Sequence, residues 1–389
     1  MRMKPLQLLY FTQFLSACAD NMILFITLAI IKQHAFPDYY IGVVQGSFLA
    51  AFVLLAPFVG AFADRNSKSR VLLVGNALKS LGILAMFLHV DPAVSYGIVG
   101  IGAAVYSPAK YGILPSLTHS DQELLRANAR LEGYTIMAIL LGSVCGGILA
   151  KMSLPGSISA CLALYFISLA MTLQMPKLHG NPAIRYGQAA KAFAADMRLL
   201  LEDRATRFSL VGTGSFWMTS SVVRLAIIAW VPLHLGIQSV DQISLLVAVT
   251  GVGIMIGALA TPKLVPARRY YNSFVFGIIM IIVILLFPLI TNLYMTIALL
   301  LLVGFSGGVF IVPMNTILQD KGQGMIGAGK TIAVQNFIEN AMMLGGVGIY
   351  TQISKDGLSP DLSITGIACM LAVFVVYLIV QRERLKTAI

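Results

Sequence analysis

The chain is poor in charge. Asp, Glu, Lys and Arg make up 11% of its 389 residues, against roughly a quarter in soluble domains, and that shortage excludes a soluble globule. The four cysteines, Cys18, Cys145, Cys161 and Cys369, lie in apolar stretches without the spacing of a metal site or a redox motif. They read as small reduced hydrophobes. The five histidines are scattered in or near loops and form no zinc or catalytic pattern, which argues against a histidine proton relay. The chain has no phosphate-binding glycine loop, no dinucleotide fingerprint and no nucleophile elbow. ATP hydrolysis and covalent catalysis therefore have no residues to support them, and neither an enzymatic activity, a cofactor nor a metal is expected.

What the chain does have is apolar length. Hydrophobic residues make up 58% of it, and the mean hydropathy is +0.85. A helix needs about 20 apolar residues to cross the hydrocarbon core. Such stretches fall at residues 8–31, 40–63, 71–90, 94–116, 129–151, 157–175, 207–235, 240–262, 270–290, 293–319, 327–353 and 362–381. They predict an all-α membrane protein with twelve transmembrane helices. The first run is too long for the apolar core of a leader peptide and carries Gln13, Asp20 and Asn21, so it is read as helix one.

The basic residues support this count, because Lys and Arg concentrate in the loops of one side. That side, taken as cytoplasmic, holds both termini and nearly all the loop cations, whereas the other holds Lys32, Lys151 and Lys355. The net charge of +11 then reflects topology and contact with anionic lipid, and no nucleic-acid partner is expected. The polar segment 176–206 divides the chain into an N-terminal half, 1–175, and a C-terminal half, 207–389. Its stretch Gln188 to Asp203 spaces Phe193, Met197 and Leu200 at helical intervals among basic residues. It is either an amphipathic helix on the membrane surface or a simple tether. Two echoes at matched positions suggest duplication. Gly60-Ala-Phe-Ala-Asp64 answers Gly257-Ala-Leu-Ala-Thr261, and Val105-Tyr-Ser-Pro108 answers Val309-Phe-Ile-Val-Pro313. Parallel six-helix halves are a common transporter plan. Gly142 and Gly146, and the cluster Gly251, Gly253 and Gly257, read as sites of close helix packing.

A charge at mid-membrane depth costs several kcal/mol unless it is paired or faces water, so embedded charges are functional candidates. Asp20 lies mid-run in helix one and Arg224 mid-run in helix seven. At 100° per residue, Gln13, Ser16, Asp20 and Thr27 fall within about 60° of one helix face, with Asn21 on its shoulder. Thr213, Ser220 and Arg224 make a comparable face on helix seven. Two readings stand: Asp20 and Arg224 form a permanent ion pair that joins the halves, or they bind a solute carrying both charges. A zwitterionic solute suits the second, its anionic group on the Arg fork and its cationic group on Asp20, with Asn21 and Gln13 as acceptors for any hydroxyls it carries. Lys110 in helix four, Glu132 in helix five, and Glu339 in helix eleven with Gln335 and Asn336 beside it form a second tier, either gating or structural. Lys110 and Glu132 are candidates to pair. Lys79 in helix three reads as a structural ion-pair member.

The segment Gly60-Ala-Phe-Ala-Asp64-Arg65-Asn-Ser67-Lys68-Ser69-Arg70 after helix two resembles the major facilitator signature GxxxDRxGRR. Ser67 stands for the usual Gly and Ser69 for a usual basic residue. The resemblance implies that Gly60 permits close helix approach. It also implies that Asp64, with Arg65 and Arg70, latches one conformation at the start of helix eleven, before which lies the glycine-rich stretch Gly322 to Gly329. Within that superfamily, four strings resemble the bacterial lysophospholipid transporter (LplT) family: Gln13-Phe-Leu-Ser-Ala-Cys-Ala-Asp20-Asn21, Ser107-Pro-Ala-Lys110-Tyr-Gly-Ile-Leu114, Arg207-Phe-Ser-Leu-Val-Gly212 and Ala333-Val-Gln-Asn-Phe-Ile-Glu339-Asn340. The similarity runs from end to end. It implies a major facilitator fold and an inner-membrane flippase. The flippase would take lysophosphatidylethanolamine and lysophosphatidylglycerol from the outer to the inner leaflet, for reacylation by an acyltransferase often fused to an acyl-carrier-protein synthetase. It also implies that Asp20, Asn21, Arg224 and Lys110 contribute to transport. A monomer is expected. Two rivals remain: a proton-coupled exporter of a small amphiphile or drug, and a non-transporting scaffold for the lipid-repair enzyme, against which the cost of the buried charges argues.

Overall fold

Helix starts in this chain are written into side chains that bond the first free backbone N–H groups. Asp91 accepts from Ala93 and Val94 at 2.9 and 3.2 Å, Asp203 from Ala205 and Thr206 at 3.0 and 2.9 Å, and Asn292 from Tyr294 and Met295 at 2.9 and 3.3 Å. Helix ends fall where only glycine is comfortable: Gly236 has φ 67° and Gly327 φ 93°.

The structure is a computed structural model and describes residues 4–119, 121–176, 180–265 and 267–386. In chain order the helices are α1 (Pro5–Gln33), α2 (Tyr40–Arg65), α3 (Lys68–Phe87), α4 (Pro92–Gly112), the single turn α5 (Leu114–Leu117), α6 (Asp121–Met152), α7 (Leu154–Thr172), α8 (Ala189–Glu202), α9 (Arg204–Leu235), α10 (Val240–Leu264), α11 (Phe274–Leu286), α12 (Leu293–Ile326), α13 (Ala328–Lys355) and α14 (Pro360–Lys386). No strand occurs among the described residues. Among the described residues, ten helices are apolar and long enough to cross a membrane. The other two long ones, α4 and α13, are the helices that carry Lys110 and the Gln335-Asn336-Glu339 cluster.

The chain forms two compact units, Met1–Ala35 with Val44–Ala194, and Phe36–Val43 with Ala195–Ile389. In the first, α1 packs on α6 and α7, and α3 on α4 and α7; Ser47 of α2 donates to the Ala93 carbonyl at the start of α4 at 2.7 Å. In the second, α9 packs on α13 and α14, α11 on α12 and α14, and α10 on α12. The same helix-order pattern thus occurs twice, which is the duplication the sequence echoes suggested. A buried cluster of Leu8, Leu9, Val71, Leu72, Tyr106, Ile113 and Leu131 closes the end of the first unit where α1 begins.

Small residues set the closest contacts, since they let backbones meet. A Cβ on Gly146 would lie 2.7 Å from the Met22 Cα, and one on Gly142 would lie 3.1 Å from the Asn21 Cβ, so α6 rides directly on α1. Gly253 and Gly257 of α10 meet Gly304 and Gly308 of α12 in the same manner.

Two expected features differ. The glycine-rich stretch before the eleventh long helix is mostly helix: α12 runs through Gly322 and Gly324 to Ile326, and the chain breaks at Gly327 alone. A Cβ on Gly60 would meet no described atom of its own unit within 4 Å. The ninth apolar stretch opens as a 3-10 segment over Ala267–Ser273 before α11 begins.

Candidate functional site

The α1 polar stripe faces two neighbours. Gln13 turns to α6, donating from Nε2 to Thr135 Oγ1 at 3.0 Å. Ser16 and Asp20 turn to α3 and α7. The Asp20 carboxylate holds the Lys79 ammonium at 2.7 Å through Oδ2 and accepts the Tyr165 hydroxyl at 2.6 Å through Oδ1. Both are short, charge-assisted bonds. Lys79 also donates to Ser16 Oγ at 2.9 Å, and its ammonium lies 4.7 Å from the Tyr106 ring centroid and 5.8 Å from that of Tyr165. A carboxylate, a hydroxyl and two aromatic faces thus surround one ammonium, the arrangement that cation–π recognition uses.

From there the network runs inward. Ser16 donates to Asn76 Oδ1 at 3.0 Å, Asn76 donates to Ser168 Oγ at 2.9 Å, and Ser168 donates to the Thr12 carbonyl at 3.0 Å. Ser16, Asn76 and Ser168 are all fully buried. The two charged members are not equally enclosed: the Lys79 side chain is 2% exposed and that of Asp20 20%. Tyr106 is buried, and its hydroxyl has no hydrogen-bond partner among the described residues.

The second unit holds a different arrangement. Gln335 Nε2 donates to Asn315 Oδ1 and to Glu339 Oε1, both at 2.8 Å, and Thr213 of α9 puts its hydroxyl against the same Glu339 carboxyl. Glu339 is buried. Asn340 bonds back to the Asn336 carbonyl of its own helix at 2.7 Å, and Asn336 is half-buried. Arg224 lies on α9, half-buried.

The remaining candidates lie elsewhere. Asn21 is half-buried and donates to the Ala17 carbonyl of its own helix at 2.8 Å. Lys110, at the end of α4, has its ammonium 4.6 Å from the Tyr111 ring centroid. The Glu132 side chain lies outside the described residues. After α2, the Asp64 carboxylate pairs with Lys68, while the Asp64 carbonyl accepts the Asn181 N–H at 2.9 Å. The Arg65 guanidinium lies 4.8 Å from the Tyr186 ring centroid, and Arg70 is exposed. The sequence reading therefore found Asp20 and the Gln335–Glu339 pair but missed Asn76, Tyr165, Ser168 and Asn315. Asn76 was the most accessible of these, standing one helical turn before Lys79 on the same face.

Membrane-length helices in two like-packed units, with a charged hydrogen-bond network buried inside one of them, define a multi-pass membrane protein of the transporter class. The Major Facilitator Superfamily profile matches residues 9–347. Among solved structures, the nucleoside transporter NupG aligns with a TM-score of 0.74 at 12% identity, over 97% of this chain and 99% of that one. A POT family transporter aligns with a TM-score of 0.76 at 12% identity, over 97% and 96%. Both are similar in fold alone. In sequence the chain is 42% identical over 346 residues to the lysophospholipid transporter LplT of Serratia proteamaculans (strain 568), covering 88% of this chain and 87% of that protein. It is 41% identical over 348 residues to that of Yersinia pestis (strain Pestoides F), covering 89% and 86%. The chain belongs to the lysophospholipid transporter LplT family of the major facilitator superfamily.

Proposed function

We propose that this protein moves lysophosphatidylethanolamine and lysophosphatidylglycerol from the outer to the inner leaflet of a bacterial inner membrane, with both termini in the cytoplasm and without a chemical step of its own. The similarity to LplT proteins over nearly nine-tenths of the chain carries this reading. The embedded charges support it: a lysolipid headgroup needs charged partners inside the membrane, and Asp20 in the first unit and Arg224 in the second are proposed as one of each sign. Asn21, Gln13, Lys110, Glu132, Gln335, Asn336 and Glu339 are proposed to line or gate the route. The loop carrying Gly60, Asp64, Arg65 and Arg70 is proposed as the conformational latch. A facilitator without a coupling ion runs down whatever gradient exists, so net inward flux would be set by a cytoplasmic acyltransferase that consumes the product.

The experiment is uptake of radiolabelled lysophosphatidylethanolamine into spheroplasts that lack their own lysolipid transporter and express this protein, with and without an uncoupler. Uptake that survives the uncoupler supports lysolipid flipping. No uptake by a correctly inserted protein overturns it, and uptake abolished by the uncoupler shifts the mechanism to proton coupling.

A further inference from the structure

The carboxylate best placed to take a headgroup ammonium already holds one. Asp20 is bonded to Lys79 at 2.7 Å inside a cage completed by Ser16, Tyr106 and Tyr165. We propose that Lys79 is a resident stand-in for the substrate's ammonium group, and that a headgroup bearing a primary or quaternary ammonium binds by competing with Lys79 for Asp20. The inference rests on the lysophospholipid reading above and adds a specificity-determining residue to it.

Four observations carry it. The cage is built for an ammonium, with a carboxylate, a hydroxyl and two π faces converging on a single cation. The two partners are unequally enclosed: the lysine is sealed in, while Asp20 keeps a fifth of its side chain exposed and is the member a solute can reach. Lys79 does not depend on Asp20 alone, since Ser16 and the two rings also meet its ammonium. Its stem cannot swing away, because α4 is pressed against it; a Cβ on Gly102 would lie 2.7 Å from the Lys79 Cγ. Lys79 is therefore a fixed competitor that weakens ammonium binding without being expelled.

A competitor and a structural prop give effects of opposite sign when removed. Lys79→Met and Lys79→Gln are compared with wild type for uptake of radiolabelled lysophosphatidylethanolamine, which has an ammonium, and lysophosphatidylglycerol, which has none. Competition predicts that KM for lysophosphatidylethanolamine falls about tenfold in both variants, the size of one charge-assisted hydrogen bond. KM for lysophosphatidylglycerol, which brings no cation to Asp20, does not fall. Lys79→Gln keeps a donor for Ser16 and protects the measurement against a Met variant that fails to insert. A rise in KM for both lipids, or loss of both from both variants, makes Lys79 a structural partner only and overturns the proposal. If wild type takes up neither lipid, the functional reading falls first and for its own reason.

Discussion

Removing one partner from the Asp20–Lys79 pair should not be symmetric, and the asymmetry can be worked from burial. Asp20→Ala leaves an ammonium that is 2% exposed, with Ser16 and two aromatic rings as its remaining company. Breaking a buried pair from one side typically costs about 3–5 kcal/mol. Lys79→Met leaves a carboxylate that is 20% exposed and still bonded by Tyr165 at 2.6 Å. Water and that hydroxyl can absorb part of the charge, and a loss of about 1–3 kcal/mol is expected. The double variant Asp20→Ala/Lys79→Met exchanges the pair for apolar atoms and should return to within about 1–2 kcal/mol of wild type. The coupling between the two positions is then at least about 2 kcal/mol. Thermal unfolding of the purified protein in detergent reads it. With roughly 2–4 °C per kcal/mol for a unit of this size, Asp20→Ala should melt on the order of 10 °C early, Lys79→Met less so, and the double variant later than Asp20→Ala. Equal effects from the two single variants would refute the burial argument. Single losses that simply add in the double variant would refute the pairing itself.

Two further outcomes follow from packing and from a buried indole. Gly146→Ala places a Cβ 2.7 Å from the Met22 backbone and should lower stability by about 1–3 kcal/mol, whereas Gly133→Ala on the same helix meets no described atom within 4 Å and should be neutral or stabilising by up to about 1 kcal/mol; equal melting temperatures would contradict the α1–α6 contact. In the second unit, the buried Trp230 indole donates to Asp361 at 3.0 Å and stacks on His234, so Asp361→Ala should cost about 1–3 kcal/mol and alter tryptophan emission, while Asp361→Asn, which keeps an acceptor, should cost less; identical behaviour of the two variants would refute the role of that bond.

Helix positions were legible because apolar run length is a strong signal. Most predicted starts and ends lie within a few residues of the observed ones. The exceptions share a cause. α6 begins at Asp121 instead of 129, and α12 runs to Ile326 instead of 319. Both extensions are polar helix, which a hydropathy average cannot separate from loop. The chemistry was legible by a different route. The cost of an embedded charge singled out Asp20 and Glu339, but cost says nothing about partners. Arg224 was the nearest match in sign and topology, yet within its own unit Asp20 is met by Lys79. A finer signal was present: Ser16 and Asp20 stand four apart on α1, and Asn76 and Lys79 stand three apart on α3. These are two polar ladders of similar rise, and they interlock. Tyr165 and Ser168 carry no such mark, because a tyrosine or serine in an apolar helix is common and only the packing of α7 on α1 and α3 gives them work.

The duplicated packing also bears on what the pair is for. α3 and α11 are the third long helices of their units, and each packs on the fourth and sixth, α4 and α7 in one case and α12 and α14 in the other. α3 carries Asn76 and Lys79, both fully buried. α11, from Phe274 to Leu286, has no polar side chain at all. The same scaffold position therefore folds without any charge, and a buried ion pair is seldom better for stability than the apolar residues that could replace it. The first unit keeps Asp20 and Lys79 at a position where the second does without them. That difference is what the proposed recognition role predicts, and it is the reason Lys79 is better tested by headgroup selectivity than by stability alone.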